Sequence, residues 1–583
     1  MEYVSNWKLH KNGILTAGQK YFVFRWLELY NQYTIDSFRY RAMNSHSIIN
    51  ELLNVIVSVE KGIWNEVNIK LVKEEALDVI IKDLVLKNNI YVDEVKKALE
   101  NIVEKQKPTH DDRERLKVSL LGIHTDLQRR YWEELITGLK ESIGKDDLDT
   151  IEWYISALAT YLVNAGHDRA YLYDSCINIL NDRQDKDFSY FYESLVARVQ
   201  PQLKQYNTYL KLKGEHDYLK GYMLGHEFRS NIMVDITSTP VKNFISEIPV
   251  VFAINQIKAM DGESAASIAQ FRLSSLLDVI HYANPKARIN AETDCLVRHN
   301  EDYQVYSIVT PLLGYQPDQN WLNKVNQQLI GIMSSRILDD ESKDKLLGAL
   351  RYFRLSYECG NSEQQFLNLW IALEYMVRSG GKQKIIIESI ANSVPKSLAL
   401  NHINRMVRDT IENIHRSQIR ISKQFHSCLE DRNIPDFITL FKNDSAYQEL
   451  MRSANDHPLL YYRLDKLHNI LLSPEGIKSA VEGNQRDIYW HLARMYRFRN
   501  RIVHYAARDL NILGVTANLH TYVRTILNIV LYEISTYGCF QDLQEVFIKY
   551  QLGYDRYMEA LENKDDKAVK PTIIANPLLL MWP

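Results

Sequence analysis

Apolar residues recur at intervals of three and four along most of this 583-residue chain. Two examples are EEALDVIIKDLVL, which begins at Glu74, and IEWYISALATYLV, which begins at Ile151. This spacing places the apolar side chains on one face of an α-helix. The pattern predicts helices from about 19 to 222 and again from about 320 to 563. We therefore expect a mainly α protein.

The pattern changes between these two helical regions. NIMVDITSTPV, IPVVFAINQIKAM, ARINAETDCLV and YQVYSIVTPLL are rich in β-branched residues and partly alternate, which predicts short strands. The last two are joined by RHNED and are expected to form a hairpin. A helix that Asp261 would cap and Pro285 would follow is predicted between the second and third strands. The region is therefore expected to be a small α+β module.

A chain of this length is expected to form about three or four domains. We predict an all-helical sensor or regulatory domain over residues 1–225 and the small α+β module over 226–318. A C-terminal helical bundle follows over 319–563, and residues 564–583 form a tail that is charged first and apolar last. The apolar end of this tail is expected to dock on the chain's own fold.

Composition and motifs exclude several classes of protein. The net charge of -3 gives no general attraction to nucleic acid, so RNA contact would need a local basic patch. Five scattered cysteines favour neither a disulfide framework nor a zinc site, and they fit the reducing cytoplasm. No stretch approaches the ~18 apolar residues of a membrane span. Phosphate-loop, zinc-hydrolase and serine-hydrolase signatures are absent, so we predict no cofactor and no metal.

A basic patch is present near the C-terminal end of the second helical region. Residues 486–509 contain six arginines and two aspartates, a local charge of +4. At helical spacing, one face carries His504 and four arginines that are predicted to bind RNA phosphates: Arg494, Arg497, Arg501 and Arg508. The alternative is an ordinary solvated arginine face.

Arg499 projects from the opposite, apolar side of the same predicted helix. Because an unpaired guanidinium group is expensive to bury, either the helix breaks near Arg499 or the arginine is needed there. Arginine beside histidine is suited to phosphodiester cleavage by an internal 2′-hydroxyl. The imidazole moves protons near neutral pH, and the guanidinium group stabilises charge on the phosphate.

The segment RNRIVH, read as Arg499-Asn500-x3-His504, resembles the R-polar-x3-H signature of HEPN ribonucleases. Its setting, WHLARMYRFRNRIVHYA, is similar to the ApeA-like branch of that superfamily. SEQQFLNLWIALEYMV resembles the early helix of the same domain, with a predicted Ser362–Gln365 capping box and with Glu374 at the edge of its apolar stripe. HPLLYYRLDKL then follows in the family's order, so that the resemblance covers residues 344–563.

The resemblance implies a helical bundle that forms a homodimer through the HEPN domain, with two motifs facing each other across one cleft. By resemblance, Arg499 would stabilise the scissile phosphate and His504 would act as an acid or a base. Asn500 would orient one of them. Glu374 is an auxiliary candidate that would orient the arginine or the histidine, and a buried structural carboxylate is the alternative.

The expected function is therefore a metal-independent RNA endonuclease that leaves 2′,3′-cyclic phosphate ends. The resemblance implies a cytoplasmic toxic effector of bacterial antiviral defence by abortive infection, with tRNA and mRNA as open alternatives for the substrate. A phage-derived trigger or a regulatory partner would act on the N-terminal domain. The alternative is a non-catalytic HEPN protein that binds RNA or a nucleotide, or that serves as a dimerising adaptor.

Overall fold

The structure is a computed structural model of a mainly helical protein that contains one antiparallel sheet of five strands. No helix in the part of the chain that it describes is long and apolar enough to cross a membrane. The described residues are 15–31, 43–64, 67–87, 91–104, 109–182, 187–214, 227–229, 232, 238–246, 251–286, 289–308, 319–359, 361–378, 386–505 and 512–582.

The N-terminal region forms a helical layer with its own apolar core. Its helices are α1 (Ala17–Tyr30), α2 (Ser45–Glu60), α3 (Val67–Lys82), α4 (Tyr91–Glu104), α5 (His110–Gly144), α6 (Leu148–Ala165), α7 (Arg169–Asp182) and α8 (Phe188–Val199). The core contains buried side chains such as Trp26, Leu52 and Tyr131. Thr109 and Asp112 form the capping box that begins α5.

The sheet follows the helical layer and is covered on both faces. Its elements are β1 (Lys204–Gly214), β2 (Glu227–Arg229), α9 (Thr239–Ser246), β3 (Val251–Ala259), α10 (Gly262–Ala283), β4 (Ile289–His299) and β5 (Asp302–Ser307). The strand order is β2-β3-β1-β4-β5. Leu210 on one face of β1 packs with α10, while Tyr209 on the other face packs with α9. Asp261 caps α10, and β4 pairs with β5, so the predicted cap and hairpin are confirmed.

One expectation for this region is wrong, and most of a second lies outside the described residues. The central strand β1 lies inside residues 1–225, which were predicted to be helical throughout. The segment NIMVDITSTPV was predicted to be a strand. Of this segment only Ile232 and residues 238–241 are described, and Thr239 begins helix α9.

The C-terminal region is a second, larger helical assembly. Its helices are α11 (Gln319–Ser334), α12 (Asp340–Glu358), α13 (Ser362–Val377), α14 (Ile386–Ala399), α15 (His402–Ser417), α16 (Lys423–Glu430), α17 (Ile434–Phe441), α18 (Asp444–Ser453), α19 (Pro458–Leu471), α20 (Pro474–Tyr505), α21 (Ile512–Tyr537), α22 (Leu543–Glu562) and α23 (Pro571–Ala575). A 3₁₀ helix, Pro577–Leu580, follows. Ala568, Ile574 and Leu578 join the same core as Trp370, so the apolar tail docks on its own fold as expected.

The two helical assemblies touch through α19 and α20. Helix α1 packs against α19, and α3 packs against α20. Tyr462 of α19 also reaches the N-terminal core, where its ring lies 5.3 Å from that of Tyr21. Helix α20 therefore lies between the C-terminal core and the N-terminal helices, and it is the helix that carries the basic patch.

Candidate functional site

Helix α20 carries the Arg499-Asn500-x3-His504 motif in its last two turns. The helix is continuous from Pro474 to Tyr505, so it does not break near Arg499. Leu492 and Met495 are fully buried in the C-terminal core, as expected for the apolar side. Val503 is 48% exposed, so this apolar side reaches the surface where the helix ends. The motif therefore stands at the edge of the core.

Arg499 has polar partners and an open side. Its Nη1 donates a hydrogen bond to Oδ1 of Asn500 at 3.2 Å, and its Nε lies 4.0 Å from Oε1 of Glu374. The Arg499 side chain is 28% exposed, while that of Glu374 is 17% exposed. The guanidinium group thus has one hydrogen-bond acceptor and one nearby carboxylate, and part of it can still contact an anion from outside.

Trp370 holds Glu374 from one turn earlier on α13. The indole Nε1 donates to Oε1 of Glu374 at 2.6 Å, and Trp370 itself is fully buried. Its ring also packs on Tyr496 of α20, with 6.1 Å between centroids. The oxygen that accepts from the indole is the one nearest Arg499. A rigid core residue therefore fixes the carboxylate beside the arginine.

The predicted capping box of α13 is wrong. The N-cap residue is Asn361, whose side chain accepts a hydrogen bond from the backbone N–H of Glu363. The Gln365 side chain donates instead to the backbone carbonyl of Cys359 at 2.8 Å. Asparagine caps a helix as well as serine does, so helix α13 starts where the sequence suggested, at Ser362, with a different cap.

His504 is exposed in the last turn of α20. It follows Asn500 by four residues, which makes the two side chains neighbours on the helix surface. Arg499 precedes His504 by five residues, or ~7.5 Å along the helix axis and ~140° around it. Asn500 therefore lies between the other two. The three side chains therefore span ~140° of the helix circumference at the C-terminal end of α20.

Arg494 and Arg497 do not lie on an accessible face, so the prediction that they present their charge to RNA is wrong for the structure described. Nε of Arg494 donates to Glu51 at 3.1 Å, and its Nη2 donates to Glu75 at 2.6 Å. Nη2 of Arg497 donates to Glu51. The two arginines are buried because α2 and α3 cover this part of α20.

The carboxyl groups of this buried cluster have displaced pKa values. Burial alone would raise the pKa of Glu51, but the guanidinium groups of Arg497 and Arg494 outweigh burial and hold it at about 2. Burial raises the pKa of Glu75 despite the attraction of Arg494, and the nearby Glu51 raises it further. Glu51 is therefore held strongly in its charged form, whereas burial disfavours the charged form of Glu75.

The remaining two arginines of the predicted face differ in what is described. Arg501 is partly exposed, with its guanidinium carbon 5.8 Å from the centroid of the Phe498 ring. Arg508 lies outside the described residues. Of the four arginines that are predicted to bind RNA, Arg494 and Arg497 are buried and Arg508 is not described. Arg501 is partly exposed, and it lies next to the motif on α20.

Searches beyond the chain itself found no relative to guide the interpretation of this site. No family model, no curated protein and no solved structure matches the chain. In the described residues no group of three or more His, Cys, Asp or Glu side chains is placed to hold a metal ion. The geometry of α13 and α20 is therefore the basis for a functional interpretation.

Two features of the site were not singled out from the sequence. Glu51 and Glu75 bind the basic helix from the opposite end of the chain, and no local pattern links them to it. The hydrogen bond from Trp370 to Glu374 could have been suspected, because residues four apart on a helix are neighbours.

Proposed function

We propose that this chain is a metal-independent RNA endonuclease whose reacting groups stand at the C-terminal end of α20. The observation that carries the proposal is the partly exposed guanidinium group of Arg499, which is oriented by Asn500 and Glu374 and followed by the exposed His504. A fixed cation beside a residue that exchanges protons near neutral pH meets the two needs of phosphodiester cleavage.

In the proposed reaction the 2′-oxygen of one nucleotide attacks the adjacent phosphorus, and the bond from phosphorus to the next 5′-oxygen breaks. His504 removes the proton of the 2′-hydroxyl or delivers a proton to the leaving 5′-oxygen. Arg499 binds the non-bridging oxygens as negative charge builds on them, and Asn500 orients its neighbours. The products are a 2′,3′-cyclic phosphate and a 5′-hydroxyl end, and no water is consumed.

One motif supplies a single imidazole, which cannot act as base and acid in the same step. We therefore propose a homodimer through residues 319–563, in which the motif of a second copy completes the cleft. The exposed surface of Arg499 and His504 suits this arrangement, since a facing motif could contact the same phosphate. Light scattering on the intact protein measures the expected mass of two chains.

The proposed biological role is that of a cytoplasmic toxic effector in bacterial antiphage defence, with tRNA or mRNA as the substrate. An unrestrained ribonuclease would damage its own cell. We propose that the helical N-terminal region restrains the nuclease until a phage-derived trigger or a regulatory partner acts on it. The covering of α20 by α2 and α3 supports such a coupling.

Incubating the purified protein with total RNA in EDTA tests the proposed activity. We expect cleavage to persist in the chelator and to leave 2′,3′-cyclic phosphate ends, because no step of the reaction uses a metal. Loss of activity in EDTA and recovery with magnesium would contradict the mechanism. RNA binding with no cleavage under any condition would favour the non-catalytic binding or adaptor protein instead.

Trp370→Phe and Glu374→Gln test whether the carboxylate orients Arg499. Trp370→Phe keeps a buried aromatic ring but removes the N–H that holds Glu374. We expect each variant to lower kcat by about tenfold at saturating RNA with little change in KM, because misplacement of a group by ~1 Å can lower the rate by up to ~100-fold. Single-turnover cleavage measures the effect.

The matched control for the tryptophan change is Trp490→Phe. Trp490 is buried in α20, and its Nε1 has no hydrogen-bond partner among the described residues. The control should leave kcat unchanged. In a Glu374→Gln background the Trp370→Phe change should have little further effect, because both act through one carboxylate. Full additivity of the two changes would show that Trp370 does not work through Glu374.

A further inference from the structure

The contact between the two helical assemblies is electrostatically polarised. In six ion pairs between described residues, the carboxylate belongs to the N-terminal helices and the cation belongs to α19 or α20. The pairs are Glu28–Arg463, Asp149–Lys466, Asp78–Arg486, Glu51–Arg494, Glu75–Arg494 and Glu51–Arg497. An acidic surface of the N-terminal helices thus covers a basic surface of the C-terminal assembly.

The most buried part of this contact lies on the motif helix. The side chains of Arg494 and Arg497 are 8% and 4% exposed, and that of Glu75 is 4% exposed. Arg497 lies two residues before Arg499. The covered arginines and the proposed reacting groups therefore share one helix, and the last covered arginine, Arg497, lies about half a turn before Arg499.

The arginines are neutralised by this cover, but their hydrogen bonding is incomplete. Within the described part of the chain, Nε and Nη1 of Arg497 and Oε2 of Glu75 are buried without a hydrogen-bond partner. A buried ion-pair cluster contributes net stability only when its remaining polar atoms are also satisfied. This cluster is therefore poorly suited to be a purely stabilising core element.

The arginines also have the arrangement that a phosphate backbone requires. Arg494, Arg497 and Arg501 follow one another at steps of three and four, so they lie along one stripe of α20 that leads towards His504. Glu51 and Glu75 occupy the first half of the stripe, while Arg501 and His504 retain exposed surface. A polyanionic strand that reached the motif would extend over the positions that these carboxylates hold.

We infer that Glu51 and Glu75 take the place of RNA phosphates, so that the acidic face of α2 and α3 and a single-stranded RNA compete for Arg494 and Arg497. The identity of the competing polyanion as RNA rests on the proposed function. Because such competition is reciprocal, release of α2 and α3 exposes two more phosphate contacts, and bound RNA in turn loosens α2 and α3. The N-terminal helices thereby limit access to the nuclease site.

The double variant Glu51→Gln/Glu75→Gln tests the competition. Both changes remove charge at nearly constant side-chain size, and in Glu51→Gln one of the two oxygens that accept from the arginines becomes an amide nitrogen that can only donate. Binding of polyuridylate is measured in EDTA in a His504→Ala background, which blocks the proposed cleavage. We expect affinity to increase by about 5- to 100-fold at low salt. The plot of log K against log salt should become steeper by about one to two units, because two arginines gain phosphate contacts.

The matched control is Glu133→Gln/Glu141→Gln, which changes the net charge equally at exposed positions of α5 away from the contact. This control should change the polyuridylate affinity and the slope of log K against log salt much less than Glu51→Gln/Glu75→Gln does. A second measurement uses the wild-type chain. Saturating polyuridylate should increase amide hydrogen exchange in α2 and α3, and α5 should serve as the internal reference.

The outcomes separate this inference from the proposed function. The interface variant is Glu51→Gln/Glu75→Gln. If it folds and binds polyuridylate more strongly while the wild type does not cleave RNA, the result would support the competition and refute the nuclease. RNA cleavage by the wild type, with equal binding by the interface and control variants, would refute the competition alone. If the interface variant does not fold, the wild-type chain provides the test. The inference is overturned if polyuridylate leaves amide hydrogen exchange in α2 and α3 unchanged, or if polyuridylate does not bind.

Discussion

We expect Arg499→Ala and His504→Ala each to lower the single-turnover rate of the proposed RNA cleavage by about 100- to 1,000-fold, with a smaller change in RNA affinity. Removing one preorganised donor to a developing oxyanion lowers a rate by roughly 10²–10³, and removing a general acid or base lowers it by roughly 10²–10⁴. Arg499 is partly exposed and His504 is exposed, so neither truncation leaves a large cavity in the core. The loss should therefore appear in the chemical step.

His426→Ala and Arg452→Ala are the matched controls for this prediction. Both residues are exposed on helices of the same assembly, where His426 contacts the backbone carbonyl of Ile421 and Arg452 donates to that of Gln448. Their rates should equal that of the unaltered chain. Retention of substantial cleavage by both Arg499→Ala and His504→Ala in a folded protein would eliminate this helix end as the reaction site.

The helices could be predicted from sequence because their signal is local. Apolar residues at three- and four-residue spacing form one face of a helix, and that face is buried wherever other helices pack against it. Helices α13 and α20 follow this rule. That the motif lies on a helix was predictable for the same reason. The exposure of Val503 could not be predicted, because it depends on which other elements pack against the end of this helix.

Strand β1 was missed although its signal was present. Pro201 stops the preceding helical pattern, and Tyr206, Thr208, Leu210 and Leu212 then alternate with other residues in KQYNTYLKLKG. Such alternation predicts a strand. The segment follows directly on helix α8, and its pairing partners β3 and β4 lie about 50 and 90 residues further along the chain. A strand of this kind is easily assigned to the adjoining helical region.

The arginine stripe shows the limit of local reasoning about a site. The spacing of Arg494 and Arg497 is the same whether their faces meet water, RNA or another part of the chain. Their partner Glu51 precedes them by more than 440 residues, so no sequence window contains both sides of the contact. Burial of the stripe is therefore a property of the tertiary structure and not of the helix.

We expect Arg494→Met to lower the free energy of unfolding by about 3–5 kcal/mol near neutral pH, because it leaves the buried carboxyl group of Glu75 without its cationic partner. Side-chain exposures of 8% and 4% leave little solvent to replace that partner. The measured transition includes separation of the N-terminal helices from α20, since the cluster joins them. Denaturant unfolding monitored by circular dichroism gives the difference.

The destabilisation should depend on pH in a defined direction. The pKa of Glu75 is already raised by burial, and loss of Arg494 removes the attraction that limits this rise. A carboxyl group whose folded-state pKa lies above its unfolded value favours folding at low pH and loses that contribution as pH increases through the folded value. The deficit of Arg494→Met should thus be largest above the raised pKa of Glu75 and should shrink as the pH falls through it.

Arg494→Met/Glu75→Gln removes the cation and the stranded charge together, and it should recover part of the lost stability and most of its pH dependence. A deficit below about 1 kcal/mol that is independent of pH would mean that water reaches the cluster. Arg494→Met and Glu51→Gln/Glu75→Gln break the same contact from opposite sides, yet only the glutamate changes should strengthen RNA binding. Stronger binding by both would mean that loosening alone exposes the site and that Arg494 does not bind phosphate.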